Sequence, residues 1–201
     1  MIELRDGVRL VLASASPRRS ELLGSVGLGF DVIPADIDET VADGESPLEY
    51  VARLSREKAA RVVELIGAGS VVVAADTTVD VDGRILEKPV DDDEARRMLR
   101  VLSGRTHLVH TGVTVSGPGG DMAEDPSRTI VVETAVSFVE LSESDIGWYL
   151  STGEHVGKAG AYGIQGAAGA FVERIDGSVT NVIGLPLAET LELLRSVAAI
   201  G

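Results

Sequence analysis

Val71-Val72-Val73-Ala74-Ala75 is a continuous apolar run with no polar residue to face water. A strand exposed on one side alternates; an unbroken run marks a strand buried on both faces, as in α/β sheets covered by helices. The run is expected to end at Asp76-Thr77-Thr78. In α/β sheets ligands sit beyond the carboxyl ends of such strands, so Asp76 reads either as a turn former or as a functional carboxylate.

A second unit of the same kind lies near the start of the chain. Leu10-Val11-Leu12 reads as a strand, Ser16 as an N-cap and Pro17 as the first helical residue, where its missing N–H costs nothing. Leu22, Leu23 and Val26 give the helix an apolar face, and Gly27 ends it. Its first turn offers free backbone N–H groups, the hydroxyls of Ser14 and Ser16, and the guanidinium groups of Arg18 and Arg19. Two cations oppose the positive end of a helix dipole, and an anion seated there removes the conflict. The alternative is a surface helix with solvated arginines.

Charge narrows what that anion is. The chain of 201 residues carries a net charge of −14, which argues against general nucleic-acid binding, a process driven by phosphate neutralisation. An anion site here is a local basic pocket on an acidic body. Only three of the 18 Lys and Arg residues are lysines, Lys58, Lys88 and Lys158, which marks them as places where a compact ammonium matters. The absence of cysteine excludes disulfides, zinc–thiolate sites and thiol catalysis. No apolar run reaches the roughly 20 residues of a membrane span, and Met1–Gly7 lacks the features of a signal peptide. A single domain over 1–201, a cytoplasmic location and no membrane partner are therefore expected.

Between these landmarks the chain reads in order. Phe30–Ile33 is expected as a strand running into Asp36, Asp38 and Glu39, either a solvated acidic turn or a divalent-cation or acid–base site. Ser46-Pro47-Leu48-Glu49 is a capping-box pattern opening a long helix with Leu48, Val51, Ser55, Ala59, Val62 and Ile66 on its apolar side. Glu49–Arg53 and Glu57–Arg61 are i,i+4 pairs on the wet side, with Lys58 as a snorkelling lysine beside the apolar face. Gly67-Ala68-Gly69 ends the helix.

Asp82-Gly83 between Val79–Val81 and Arg84–Leu86 is a hairpin that delivers Glu87-Lys88-Pro89. A capped helix follows from Asp91 to Leu102. A strand over Leu108–Val115 and another over Thr129–Leu141 flank a loop at 116–128, and His107 and His110 read as structural. Ser142 caps a helix holding Trp148, assigned to core or interface. The stretch 153–169 is rich in glycine, which suggests backbone lying close to a ligand. Ala170–Ile175 and Val179–Ile183 are expected as a hairpin around Asp176-Gly177, and Leu187–Val197 as the closing helix. A basic clamp, carboxylates, loop lysines and a glycine-rich wall together fit Mg²⁺ with a polyphosphate.

Eight segments make the chain resemble the Maf family, nucleoside triphosphate pyrophosphatases of the inosine triphosphate pyrophosphatase superfamily. They are Leu12–Arg19, Asp38-Glu39, Arg56–Ala59, Ala75–Thr77, Glu87–Pro89, Leu102–His107, Lys158–Gly166 and Gly184–Leu187, in family order along nearly the whole chain. The 116–128 loop is longer than the family's and is the main departure. The resemblance implies an α/β fold: an elongated mixed β-sheet flanked by helices, with two lobes around a cleft. It further implies a homodimer, a Mg²⁺ or Mn²⁺ requirement, and hydrolysis of a nucleoside triphosphate between the α and β phosphates.

On that resemblance, Ser14, Ser16, Arg18 and Arg19 grip phosphate oxygens, and Lys58, Lys88 and Lys158 neutralise the leaving pyrophosphate. Glu39 and Asp76 hold the metal and orient water, with Asp76 preferred as general base. Arg18, Thr77 and Gln165 resemble the branch acting on dTTP and UTP. The alternatives are the branch preferring 7-methyl-GTP and a regulator of cell division that binds nucleotides without hydrolysing them.

Overall fold

The computed structural model describes residues 2–67, 69–117 and 127–201. The elements run β1 (Arg9–Leu12), α1 (Pro17–Ser25), β2 (Asp31–Val32), α2 (Pro47–Ile66), β3 (Ser70–Val81), β4 (Arg84–Leu86), α3 (Asp92–Leu102) and β5 (Thr106–Ser116). Then come β6 (Ser127–Phe138), α4 (Glu143–Ser151), β7 (Val172–Asp176), α5 (Val179–Ile183) and α6 (Leu187–Ser196). Two short helical turns follow α4: Ala159–Ala161 lies within the glycine-rich stretch and Ala167–Phe171 runs past its end. Among the described residues seven strands form one mixed sheet in the order β2-β1-β3-β5-β6-β7, with β4 paired to β3. β1 is parallel to β2 and β3, and the pairs from β3 to β7 are antiparallel.

The expected strand end at Asp76 is a strand middle. β3 runs on to Val81 because β5 pairs with it from Val72 to Asp80. What stops is β1, whose pairing with β3 ends at Leu12–Val73. Asp76 thus lies past the carboxyl end of β1 but on a rigid central strand.

The two faces of β3 carry different cargo. On one face Val71, Val73 and Ala75 join Leu10, Leu12, Val113, Val115 and Leu194 in one apolar cluster. Further along that face Val79 and Val81 join Val109, Leu99, Ile146 and Phe171 in another. Between them the face turns polar: Thr77 meets Thr111 in register, their hydroxyls 2.9 Å apart. This polar rung divides the two lobes. On the opposite face Val72 and Ala74 pack under Ala59 and Val62 of α2, and Asp76 comes next in the alternation. Gly112, register partner of Asp76, sits where a Cβ would come 2.2 Å from the Val51 carbonyl oxygen. Glycine there lets the α2 backbone lie directly on the sheet.

The α2 capping box is present, and Val51, Ser55, Ala59 and Val62 of the expected face are buried, with Ile66 partly so. Leu48 is 47% exposed, while Tyr50, Leu54 and Lys58 are buried. Glu49 serves the cap; Arg53 pairs instead with Glu45 and Glu57, and Arg61 with Glu64. The strand expected at 30–33 shrinks to Asp31–Val32. Val179–Ile183 is a helix despite its β-branched residues, so the expected hairpin does not form. Ser178 caps it by accepting from the Asn181 N–H, and the Asn181 amide donates to the Val109 carbonyl and the Thr134 hydroxyl, each at 3.0 Å. Those bonds outweigh local strand preference. Trp148 is half-exposed, edge-on to Phe171. Ser116, Ser127 and Arg128 belong to strands, and positions 118–126 of the expected loop lie outside the described residues, as does Ala68.

Candidate active site

The polar rung opens into a cleft of about 450 Å³ at the point where β1 ends. Every residue given a role by the family resemblance lines it: Ser14, Ser16, Arg18 and Arg19 from the β1–α1 turn, Glu39, Lys58, Asp76 and Thr77, Lys88, and Lys158 and Gln165 from the glycine-rich wall. Pockets of roughly 300–1,000 Å³ suit small-molecule ligands.

One side of the cleft is a ladder of alternating charge. Lys88 Nζ donates to Glu39 Oε2 at 2.9 Å, Lys58 Nζ approaches Glu39 Oε1 at 2.6 Å, and Lys58 Nζ donates to Asp76 Oδ1 at 2.6 Å. Lys58 and Asp76 are buried and Lys88 is exposed, so the ladder climbs from the sheet to the rim. Burial works against ionisation of Glu39, but the two ammonium groups outweigh it and hold its carboxyl at about 2. The loop bearing Glu39 is pinned to α2: Tyr50 Oη donates to the Glu39 carbonyl and Arg53 Nη2 to the Thr40 carbonyl, each at 3.0 Å. Asp36 and Asp38 stay exposed, and Asp38 turns back to accept from Thr40. The acidic cluster is thus one inward carboxylate with two solvated neighbours.

The facing side is cationic. Ser16 occupies the N-cap position of α1 without a side-chain capping bond, so the sequence expectation holds for place and not for bonding. Its own N–H goes to Ser14 Oγ at 3.2 Å. The first-turn N–H groups have no intrahelical partner and the turn has no acidic residue. Arg19 is half spent on the fold: it donates to the Gly184 carbonyl at 2.8 Å, to Thr77 Oγ1 at 3.1 Å and to Ser14 Oγ at 3.3 Å. Burial lowers its pKa; Asp76 opposes that shift and the adjacent Arg18 adds to it. Arg18 makes no hydrogen bond or ion pair among the described residues. Lys158 sends its ammonium to the carbonyl oxygen of Glu154, and burial, with Arg18 next, lowers its pKa. Gln165 is exposed to the cleft, and its side chain makes no hydrogen bond among the described residues.

Sequence reasoning passed over Tyr50, Arg53 and Glu154, the residues that hold this site together. Tyr50 falls one residue before Val51 on the buried side of α2, and Glu154 reveals itself only through the glycines its side chain overlies. The histidines are structural, as expected: His107 Nε2 is 2.8 Å from Tyr162 Oη and His110 Nε2 is 3.2 Å from Asp80. No cluster of three or more metal-ligating side chains occurs among the described residues.

Carboxylates and a helix start bearing two arginines line one cleft on a mixed sheet, which makes this an α/β protein with a charged cleft. Within that class the chain belongs to the Maf-like protein family, whose model matches residues 9–197. The dTTP/UTP pyrophosphatase of Anaeromyxobacter dehalogenans (strain 2CP-C) is 54% identical over 187 residues, 93% of this chain and 93% of that protein. The dTTP/UTP pyrophosphatase of Brucella abortus (strain 2308) is 52% identical over 192 residues, covering 92% and 90% of the two chains. The solved Staphylococcus aureus Ham1 protein aligns with a TM-score of 0.45 at 15% identity over 65% of this chain and 71% of that one.

Proposed function

We propose that this chain is a nucleoside triphosphate pyrophosphatase that converts dTTP and UTP to the monophosphate and pyrophosphate. The observation that carries the reading is the ladder Lys88–Glu39–Lys58–Asp76 lining the same cleft as the α1 N-terminus. It supplies both things the reaction needs: carboxylates to handle water, and cations to receive the charge of the leaving pyrophosphate.

In this reading the α1 N–H groups, Ser16 and Arg18 bind phosphate oxygens, with Arg19 braced against Gly184 and Thr77 to present its remaining N–H groups. Water attacks the α-phosphorus as Asp76 takes its proton. The new O–P bond forms, the bond to the bridging oxygen of the β-phosphate breaks, and Lys58 and Lys88 offset charge on that oxygen. Glu39 and Asp76 also suit Mg²⁺ or Mn²⁺: both are hard-oxygen donors, and such ions are commonly held by one or two carboxylates plus substrate phosphates. A bound divalent ion would supply charge neutralisation on the phosphates and lower the pKa of a coordinated water.

Base choice rests on Gln165, whose unengaged amide can donate to a pyrimidine carbonyl and accept from N3–H. A homodimer, implied by the family resemblance, and a cytoplasmic location, expected from the sequence, complete the proposal; sedimentation of the purified chain reads the former. The decisive assay is pyrophosphate release with Mg²⁺ across a panel of standard and modified triphosphates. The reading expects UTP and dTTP to lead; binding without release would make the chain a nucleotide-binding regulator instead.

A further inference from the structure

The segment 153–167 folds back on itself so that two of its side chains lie over two of its glycines. Lys158 crosses Gly163: a Cβ on Gly163 would stand 2.6 Å from Lys158 Cε. Glu154 crosses Gly166: a Cβ on Gly166 would stand 1.9 Å from Glu154 Oε2. The same Oε2 accepts the Ala167 N–H at 2.8 Å, and the Glu154 carbonyl accepts the Lys158 ammonium. Gly163 and Gly166 bracket Ile164-Gln165, and the Gly166 N–H closes the turn onto the Gly163 carbonyl at 3.1 Å. Gln165 itself contributes no side-chain bond to this turn among the described residues.

We propose that Glu154 is a positioning residue for base selection: its carboxylate clamps the Gly163–Ala167 turn that presents Gln165, while its carbonyl ties that turn to Lys158. The inference rests on the nucleotide reading of the cleft and adds to it a residue outside the charge ladder. The physical case is short. Gln165 is exposed and unbraced, so its aim is set by its backbone. Two backbone bonds, Gly166 N–H to Gly163 and Gly169 N–H to Gly166, shape the turn, and one charged hydrogen bond that only a glycine at 166 admits ties it to the rest of the segment. Glu154 touches neither Asp76 nor Glu39, so its loss acts on ground-state base recognition more than on the chemical step.

The test compares kcat and KM for UTP and GTP in wild type, Glu154→Ala, Glu154→Gln, Gly166→Ala and the Glu154→Ala/Gly166→Ala double variant, with thermal melting of each. Glu154→Ala is expected to lower the UTP-to-GTP ratio of kcat/KM by about tenfold, mostly through KM for UTP, as loss of one charged hydrogen bond allows. Glu154→Gln keeps an oxygen for the Ala167 N–H and should largely restore the ratio. Gly166 has φ −108°, outside the left-handed region that favours glycine, so an alanine there acts chiefly by pushing the carboxylate away. It should reproduce the Glu154→Ala phenotype without deleting the acid, and should add nothing in the Glu154→Ala background, where the space is free. An unchanged ratio in Glu154→Ala and Gly166→Ala overturns the proposal. So do multiplicative losses in the double variant, or an equal fall on both nucleotides with a lowered melting point. Wild type that releases no pyrophosphate from either nucleotide overturns the nucleotide reading, and this inference with it, and is recognised before any variant is made.

Discussion

Lys58→Met removes the central rung of the charge ladder while keeping the length of the side chain. In the wild type the ammonium contacts Glu39 and Asp76 at 2.6 Å each, with Lys58 and Asp76 buried. Removing one partner of a buried ion pair costs about 3–5 kcal/mol. The figure here is smaller, because the Glu39 side chain is 37% exposed and keeps Lys88 at 2.9 Å. About 2 kcal/mol at pH 7 is therefore expected, read as a melting temperature lower by roughly 4–8 °C for a domain of this size. The pH dependence checks the cause. Glu39 has its pKa depressed from 4.5 to about 2, so its contribution is fully present above 4.5 and lost as pH falls toward 2. Urea titrations of both proteins from pH 3 to 8 should show the gap between them narrowing below pH 4.5. A Lys58→Met protein as stable as wild type at pH 7, or a gap that does not change with pH, refutes the ladder as an electrostatic unit.

Asp76→Asn should stay folded, bind nucleotide and lose roughly 10²–10⁴-fold in kcat, the range for a lost general base; near-normal turnover excludes Asp76 from the chemistry. Gln165→Glu should weaken UTP and dTTP, whose O4 would face a carboxylate, and relatively favour GTP, whose adjacent N1–H and amine suit one; an unchanged UTP-to-GTP ratio of kcat/KM excludes base reading. Burial holds His107 at about 4, below its usual 6.5, so stability should fall as pH drops from 6.5 to 4, by up to about 3 kcal/mol. His107→Gln should flatten that part of the profile in urea unfolding, and an acid limb of equal depth in the variant would assign it to other groups.

How much of this was legible in the sequence depends on the range of the interactions. Locally coded elements stood out: the α2 capping box, the Asp82-Gly83 turn with φ of 53° and 79°, and α3 opened by Asp91. The family motifs also located every charged residue that lines the cleft. What stayed hidden was set by partners far along the chain. Whether β3 ends at Asp76 depends on where β1 stops and β5 continues, which no local pattern of Asp-Thr-Thr encodes. The β-branched Val179–Ile183 segment becomes a helix because Asn181 finds Val109 and Thr134 across the sheet. Lys58 was set beside the apolar face for its charge, although it lies four residues after Leu54 and four before Val62, both buried. Its burial makes sense only once Asp76 and Glu39 are brought to it.

The central claim is hydrolysis at the α-phosphorus, and the most direct measurement is turnover of UTP with Mg²⁺ in ¹⁸O-labelled water, followed by mass analysis of both products. The account predicts one labelled oxygen in the monophosphate and none in pyrophosphate. Label in pyrophosphate, release of inorganic phosphate as the first product, or binding without turnover would contradict it.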